Sequence, residues 1–170
     1  MTRKPSISYY TILGVSRHYS NRGSAYYNKG EIEKAIADFT QALKINPEDA
    51  EAYYNRGSAY YNKGEIEKAI ADFTQALKIN PEYAPAYNNR GIIYSDKIEL
   101  EKAIADFSRA LKINPELAQA YANSGIAYSK LGDKQQAIQD FKKPVKLFAE
   151  QGDTANQQKV SELLKQLQQD

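Results

Sequence analysis

A 34-residue period constrains this chain more than any other feature. Residues 21–48 read NRGSAYYNKGEIEKAIADFTQALKINPE, and residues 55–82 repeat them letter for letter. A further shift gives NRGIIYSDKIELEKAIADFSRALKINPE at 89–116, and another gives NSGIAYSKLGDKQQAIQDFKKPVKLFAE at 123–150. Four units therefore tile Ser16 to Gln151. Self-similarity at such a period is the mark of stacked supersecondary units rather than of one closed core.

Each unit carries two helical patterns. In the second, Tyr53, Gly57, Tyr60 and Tyr61 follow three–four spacing. After Lys63-Gly64 a new stripe starts with Ile66, Ala69, Ile70, Phe73, Ala76, Leu77 and Ile79, the apolar face of a second helix. Pro81 cannot continue that helix and biases Asn80 toward extended backbone. Pro47 and Pro115 play the same part in their units. Gly30, Gly64 and Gly132 stand where a left-handed residue ends the first helix. The third unit has Ile98 there, so a slightly different turn is expected.

These residues resemble the tetratricopeptide repeat family over about 136 of the 170 residues. The family pattern of aromatic, small residue, aromatic, alanine, aromatic, alanine and proline is met by Tyr53, Gly57, Tyr60, Ala69, Phe73, Ala76 and Pro81 in the second unit. Tyr19, Gly23, Tyr26, Ala35, Phe39, Ala42 and Pro47 meet it in the first, and Tyr87, Gly91, Tyr94, Ala103, Phe107, Ala110 and Pro115 in the third. The fourth matches through Tyr121, Gly125, Tyr128, Ala137 and Phe141 and then departs. The resemblance implies an all-α, right-handed superhelical solenoid of antiparallel helix pairs, with the first helices lining a concave side. Small residues let the paired backbones approach, and one pair cannot bury its apolar face alone. The expected organisation is an N-terminal extension over 1–15 that could form a short helix, repeats at 16–49, 50–83, 84–117 and 118–151, and a C-terminal capping helix over 153–170.

Both ends break the pattern. Pro144 stands where the family has a small alanine, inside a helix, so that helix is expected to kink or stop near Lys143. After Gly152, Asp153-Thr154 offers a helix start, and Val160, Leu163, Leu164 and Leu167 form one apolar stripe that would close the array. At the other end YYTILGVSR, residues 9–17, resembles the opening of a J-domain, the co-chaperone module. The His-Pro-Asp triplet of that module is absent, since His18 is followed by Tyr19. Stimulation of a chaperone ATPase is therefore not carried over, and a co-chaperone-like role ranks lowest.

Composition closes off most chemistry. Cysteine is absent and His18 is the only histidine, so disulfides, thiolate catalysis and imidazole metal clusters within the chain are excluded. The glutamates Glu31, Glu33, Glu65 and Glu67 recur with the repeat and flank helix starts, where negative charge is favoured, rather than forming an acid–base pair. No phosphate-cradling glycine loop occurs. No enzyme activity, cofactor or metal is expected. A net charge of +2, with acid and base interleaved, gives little pull toward nucleic acid. No signal peptide is evident, and no run of 18 apolar residues spans a bilayer. A cytoplasmic protein without membrane contact is the expectation.

Binding is the remaining class. By resemblance, a peptide or partner helix lies in the concave groove. The family's groove positions fall on Arg17, Ser20, Asn21, Ser24, Tyr27 and Asn28; on Glu51, Tyr54, Asn55, Ser58, Tyr61 and Asn62; on Asn88, Asn89, Ile92, Ser95 and Asp96; and on Gln119, Asn123, Ile126, Ser129 and Lys130. Asn21, Asn55, Asn89 and Asn123 recur every 34 residues on that face. Side-chain amides donate and accept, so a ladder of them could pair with peptide backbone of any sequence; they could equally have come along with duplication. One variant of the family grips the acidic C-terminus of large heat-shock chaperones with lysine, asparagine, lysine and arginine. Carried over, its positions fall on Ser20, Ser24, Asn55, Pro85 and Asn89, or one unit on, Tyr54, Ser58, Asn89, Gln119 and Asn123, with no cation in either set. That specificity is expected to be missing. Tyr27, Tyr54 and Tyr61 with Ile92 and Ile126 suit an uncharged, partly apolar segment. Arg22, Arg56 and Arg90 sit beside the asparagines, and their heads are expected to find carboxylates. Self-association by stacking or swapping of near-identical repeats is the alternative.

Overall fold

A computed structural model describes residues 9–169, with side chains from residue 12 onward. Residues 1–8, the start of the expected extension, and Asp170 lie outside the described residues. The chain divides into two compact units, residues 1–81 and 82–170. Among the described residues every element is a helix.

In the first unit α1 (Tyr9–Asn28) packs antiparallel on α2 (Ile32–Ile45), and α3 (Ala50–Lys63) on α4 (Ile66–Ile79). The pairs stack through α2 and α3. In the second unit α5 (Ala84–Asp96) packs on α6 (Leu100–Ile113), α7 (Ala118–Leu131) on α8 (Lys134–Glu150), and α9 (Thr154–Gln169) closes on α8. Within each unit this is the layered, all-α solenoid architecture anticipated from the period. Residues 9–15 are the opening turns of α1, continuous with the first helix of the first repeat.

The helix ends follow their chemistry. Asn46, Asn80 and Asn114 have φ of −128°, −125° and −129°, and each precedes a proline that excludes the helical region. Asp49 and Asp133 cap α3 and α8 by accepting from the Ala52 and Gln136 backbone N–H groups, each at 3.0 Å. Asp153 does the same for Asn156 at 3.1 Å, as the Asp-Thr start implies.

The core of each helix pair is one phenylalanine set against one glycine. Phe39, Phe73, Phe107 and Phe141 are fully buried, and their rings lie where a Cβ on Gly23, Gly57, Gly91 and Gly125 would project. Ala35, Ala69, Ala103 and Ala137 are likewise buried. Each buried ring contributes about 1.5–3 kcal/mol relative to exposure.

One expectation is corrected and one is narrowed. At Ile98 the backbone keeps the same turn as its glycine counterparts: φ is +60°, beside +82° at Gly64 and +89° at Gly132. The Glu99 N–H still donates to the Tyr94 carbonyl at 2.8 Å, as Glu65 does to Tyr60 at 2.9 Å. The turn is fixed by helix-pair packing, and the isoleucine, 77% exposed, is held in the left-handed region. At Pro144 the helix does not stop, because α8 runs on to Glu150. The ring is fully buried in the slot that Ala42, Ala76 and Ala110 occupy in the other repeats. That packing holds the helix together across the missing N–H.

Candidate functional site

In the first unit the first helices enclose a polar cavity of about 420 Å³. Asn21 on α1 and Asn55 on α3 both line it, so the repeat brings two of the four expected asparagines to one space. Arg17, Ser20 and Ser24 join them from α1, with Glu48, Asp49 and Glu51 from the turn into α3. Ser20 Oγ is buried and lacks a hydrogen-bond partner. The Ser24 and Ser58 hydroxyls are committed elsewhere, donating to the Ser20 and Tyr54 carbonyls one turn back at 3.1 and 3.0 Å. Beyond the cavity, the Asn62 amide donates to the Tyr27 hydroxyl at 2.8 Å, tying two further groove positions together. The Tyr54 ring leans on Phe73 at 5.7 Å between centroids, and Tyr61 is 36% exposed.

The second unit presents a different surface. Three cavities of about 270, 100 and 170 Å³ lie along the first helices, and Ile126 lines all of them. Ile92 and Asn123 each line two, as do Lys130 and Leu163. The amides here are engaged with one another. Asn123 donates to Asn88 Oδ1 at 3.1 Å, and Asn88 donates to Asn89 Oδ1 at 3.2 Å. Buried Asn88 is thus the hinge of the amide chain in this unit, a role the 34-residue register does not single out.

Sequence reasoning missed the part α9 plays. Asn156, Lys159, Val160 and Leu163 form one wall of the second unit's groove, opposite Gln119, Asn123 and Ile126 of α7. The stripe Val160, Leu163, Leu164 and Leu167 reads as a cap, and it does cover the α7–α8 core. Periodicity shows that a face is apolar. It does not show that the edge of that face also borders a groove.

The arginines find the expected carboxylates. Arg22, Arg56 and Arg90 each reach an aspartate 16 residues on, in a two-point grip: 2.6 and 2.8 Å to Asp38, 2.7 and 2.8 Å to Asp72, and 2.8 Å twice to Asp106. Each guanidinium also stacks over repeat tyrosines, Arg56 at 5.5 and 5.8 Å from the Tyr53 and Tyr60 ring centres. The fourth repeat has Ser124 in place of the arginine, and Asp140 accepts from Gln136 at 2.9 Å instead. These pairs clamp first helix to second helix and are structural. Among the described residues no cluster of three His, Cys, Asp or Glu side chains could hold a metal ion, and no helix is long and apolar enough to cross a membrane.

Sequence profiles described as tetratricopeptide repeats match residues 23–64, 50–83, 84–117 and 107–139. Among solved structures, MamA is similar, with 28% identity over 85% of this chain and 87% of that one and a TM-score of 0.75. The first tetratricopeptide domain of Spaghetti (RPAP3), bound to the HSP90 peptide SRMEEVD, is 25% identical over 70% of this chain and 94% of its own, with a TM-score of 0.68. The domain of Arabidopsis OM64 is 27% identical, covers 70% of this chain and 98% of its own, and has a TM-score of 0.68. No curated protein matches the chain at a significant level.

Proposed function

The chain belongs to the tetratricopeptide repeat family, and on that premise we propose that it is a non-catalytic module that holds a segment of a partner protein against its first helices, as an adaptor or scaffold. The observation that carries this reading is where the cavities lie. In both units they open on the first helices, at the expected asparagines and isoleucines. The similar Spaghetti domain holds a peptide, which supports the same use of the fold here. Nothing in the recurring glutamates or in His18 offers an acid–base or nucleophilic arrangement.

The test is peptide selection from a display library against the immobilised full chain, followed by calorimetry. Selected peptides are expected to lose affinity for Asn55→Ala or Ile126→Asp at unchanged helicity. Affinity indifferent to both substitutions would overturn the reading.

A second reading, self-association, draws on the open face of α1. Ile12 and Val15 are 38% and 44% exposed, and Arg22 is far more exposed than Arg56, with side chains 46% and 17% accessible. In the first unit Arg56 gains an extra bond to Thr40 Oγ1 at 3.2 Å from the neighbouring helix pair, and that is the type of contact a second chain could supply to Arg22. Sedimentation velocity across concentration tests it, and a strict monomer rejects it.

A further inference from the structure

The two units differ in the chemistry of their cavities. The first is polar and weighted to acid, with Glu48, Asp49 and Glu51 against Arg17. The second has an aliphatic floor of Ile92, Ile126 and Leu163, with Lys130 rising from α7 and Lys159 from α9. Several lysines are neutralised at home, among them Lys34 by Glu31, Lys68 by Glu65 and Lys102 by Glu99. Lys130 has only the Ser95 carbonyl and hydroxyl, at 3.4 and 3.3 Å, and no carboxylate. The lining holds one acid, Asp96, against these two cations.

We propose that the groove of the second unit selects a partner segment that pairs an aliphatic side chain with a side-chain carboxylate, and that α9 is half of that site rather than a cap alone. This rests on the protein-binding reading above and names the class of partner for it. The aliphatic side chain enters the space over Ile126 and leaves water, which supplies the affinity. Side-chain carboxylates of the segment meet Lys130 in one cavity and Lys159 in the adjoining one, both bordered by Ile126, so their placement sets orientation and excludes basic segments. The acid-weighted cavity of the first unit repels the same segment. A terminal carboxylate is not required, because the recognition runs through side chains.

The probe is a short fluorescent peptide of alternating leucine and glutamate, acetylated and amidated at its ends, titrated into the full chain by anisotropy. A glutamine-for-glutamate peptide and a serine-for-leucine peptide serve as comparisons. The glutamate peptide should bind about three- to tenfold tighter than the glutamine one, the range two part-exposed charge pairs supply. Lys130→Ala with Lys159→Ala should remove that preference, Lys142→Ala on the far side of α8 should not, and a free C-terminus should add nothing. Equal binding of the glutamate and glutamine peptides, both still lost in Ile126→Asp, overturns the charge selection and leaves the groove reading standing. Binding of either peptide that survives Ile126→Asp, or no binding by any peptide, overturns both.

Discussion

Replacing Gly91 with alanine sets two opposing effects against each other. In an open helix interior, glycine to alanine stabilises by about 1 kcal/mol, because glycine has more backbone freedom to lose. At Gly91 the added Cβ would lie 2.7 Å from Phe107 Cε1 and 3.0 Å from Cδ1. Phe107 is fully buried, so its ring cannot swing into solvent. Forcing a methyl into such packing costs about 1–3 kcal/mol, and more at the short end of the distance range. The net expectation for Gly91→Ala is a loss of up to about 2 kcal/mol. Gly57→Ala should be milder, since its nearest ring atom is at 3.0 Å. The control lies in the same chain: Gly14 on α1 has nothing within 4 Å, so Gly14→Ala should gain about 1 kcal/mol. Urea denaturation followed by far-ultraviolet circular dichroism reads the three variants against the parent. Stabilisation of Gly91→Ala matching that of Gly14→Ala would refute the claim that close approach of paired helices requires glycine there.

Ile98→Gly should stabilise by about 1 kcal/mol, because an isoleucine at positive φ costs about 1–2 kcal/mol and its exposed side chain gives up little on removal; thermal melting checks it, and a lower midpoint contradicts the shared-turn assignment. Asp72→Asn should cost about 1–3 kcal/mol and Asp38→Asn clearly less, since Arg56 is largely covered while Arg22 stands half in water; equal losses by denaturant titration would count against the graded clamp. The Glu65 carboxyl accepts from Lys68 and Lys63 and so titrates below its ordinary 4.5. Its stabilising contribution is therefore complete above that value and fades as pH falls through the lower folded-state midpoint. Carboxyl carbon NMR should show that midpoint rising in Lys68→Ala, and an unmoved midpoint contradicts the pairing.

Most of the helix-pair scaffold was legible because its determinants are local and recur from unit to unit. Gly-Phe-Ala spacing, Asn-Pro stops and glycine turns each act through their own backbone, and the structure places them in the expected roles. Ile98 was misjudged because residue preference was weighed without packing. With Tyr94 and Glu99 bonded across the turn, the chain has one conformation open to it whichever residue stands there. At Pro144 a kink or a stop was expected, and the stop does not occur: the ring fills a slot that propensity does not register. The asparagine register was visible, yet its partners were not. Asn123 and Asn89 meet through Asn88, a neighbour one residue out of register. The contribution of Lys159 needed three dimensions, because only the closure of α9 on α8 carries it to the edge of a groove floored by α7.

The central claim is that a partner segment rests on the first helices. Backbone amide NMR of the full chain, titrated with a display-selected peptide, addresses it directly. The account predicts that the largest shifts cluster at Asn21 and Asn55, or at Ile92, Asn123, Ile126 and Lys159, with the second helices α2, α4 and α6 nearly still. Shifts concentrated on those second helices, with the first helices unmoved, would contradict it.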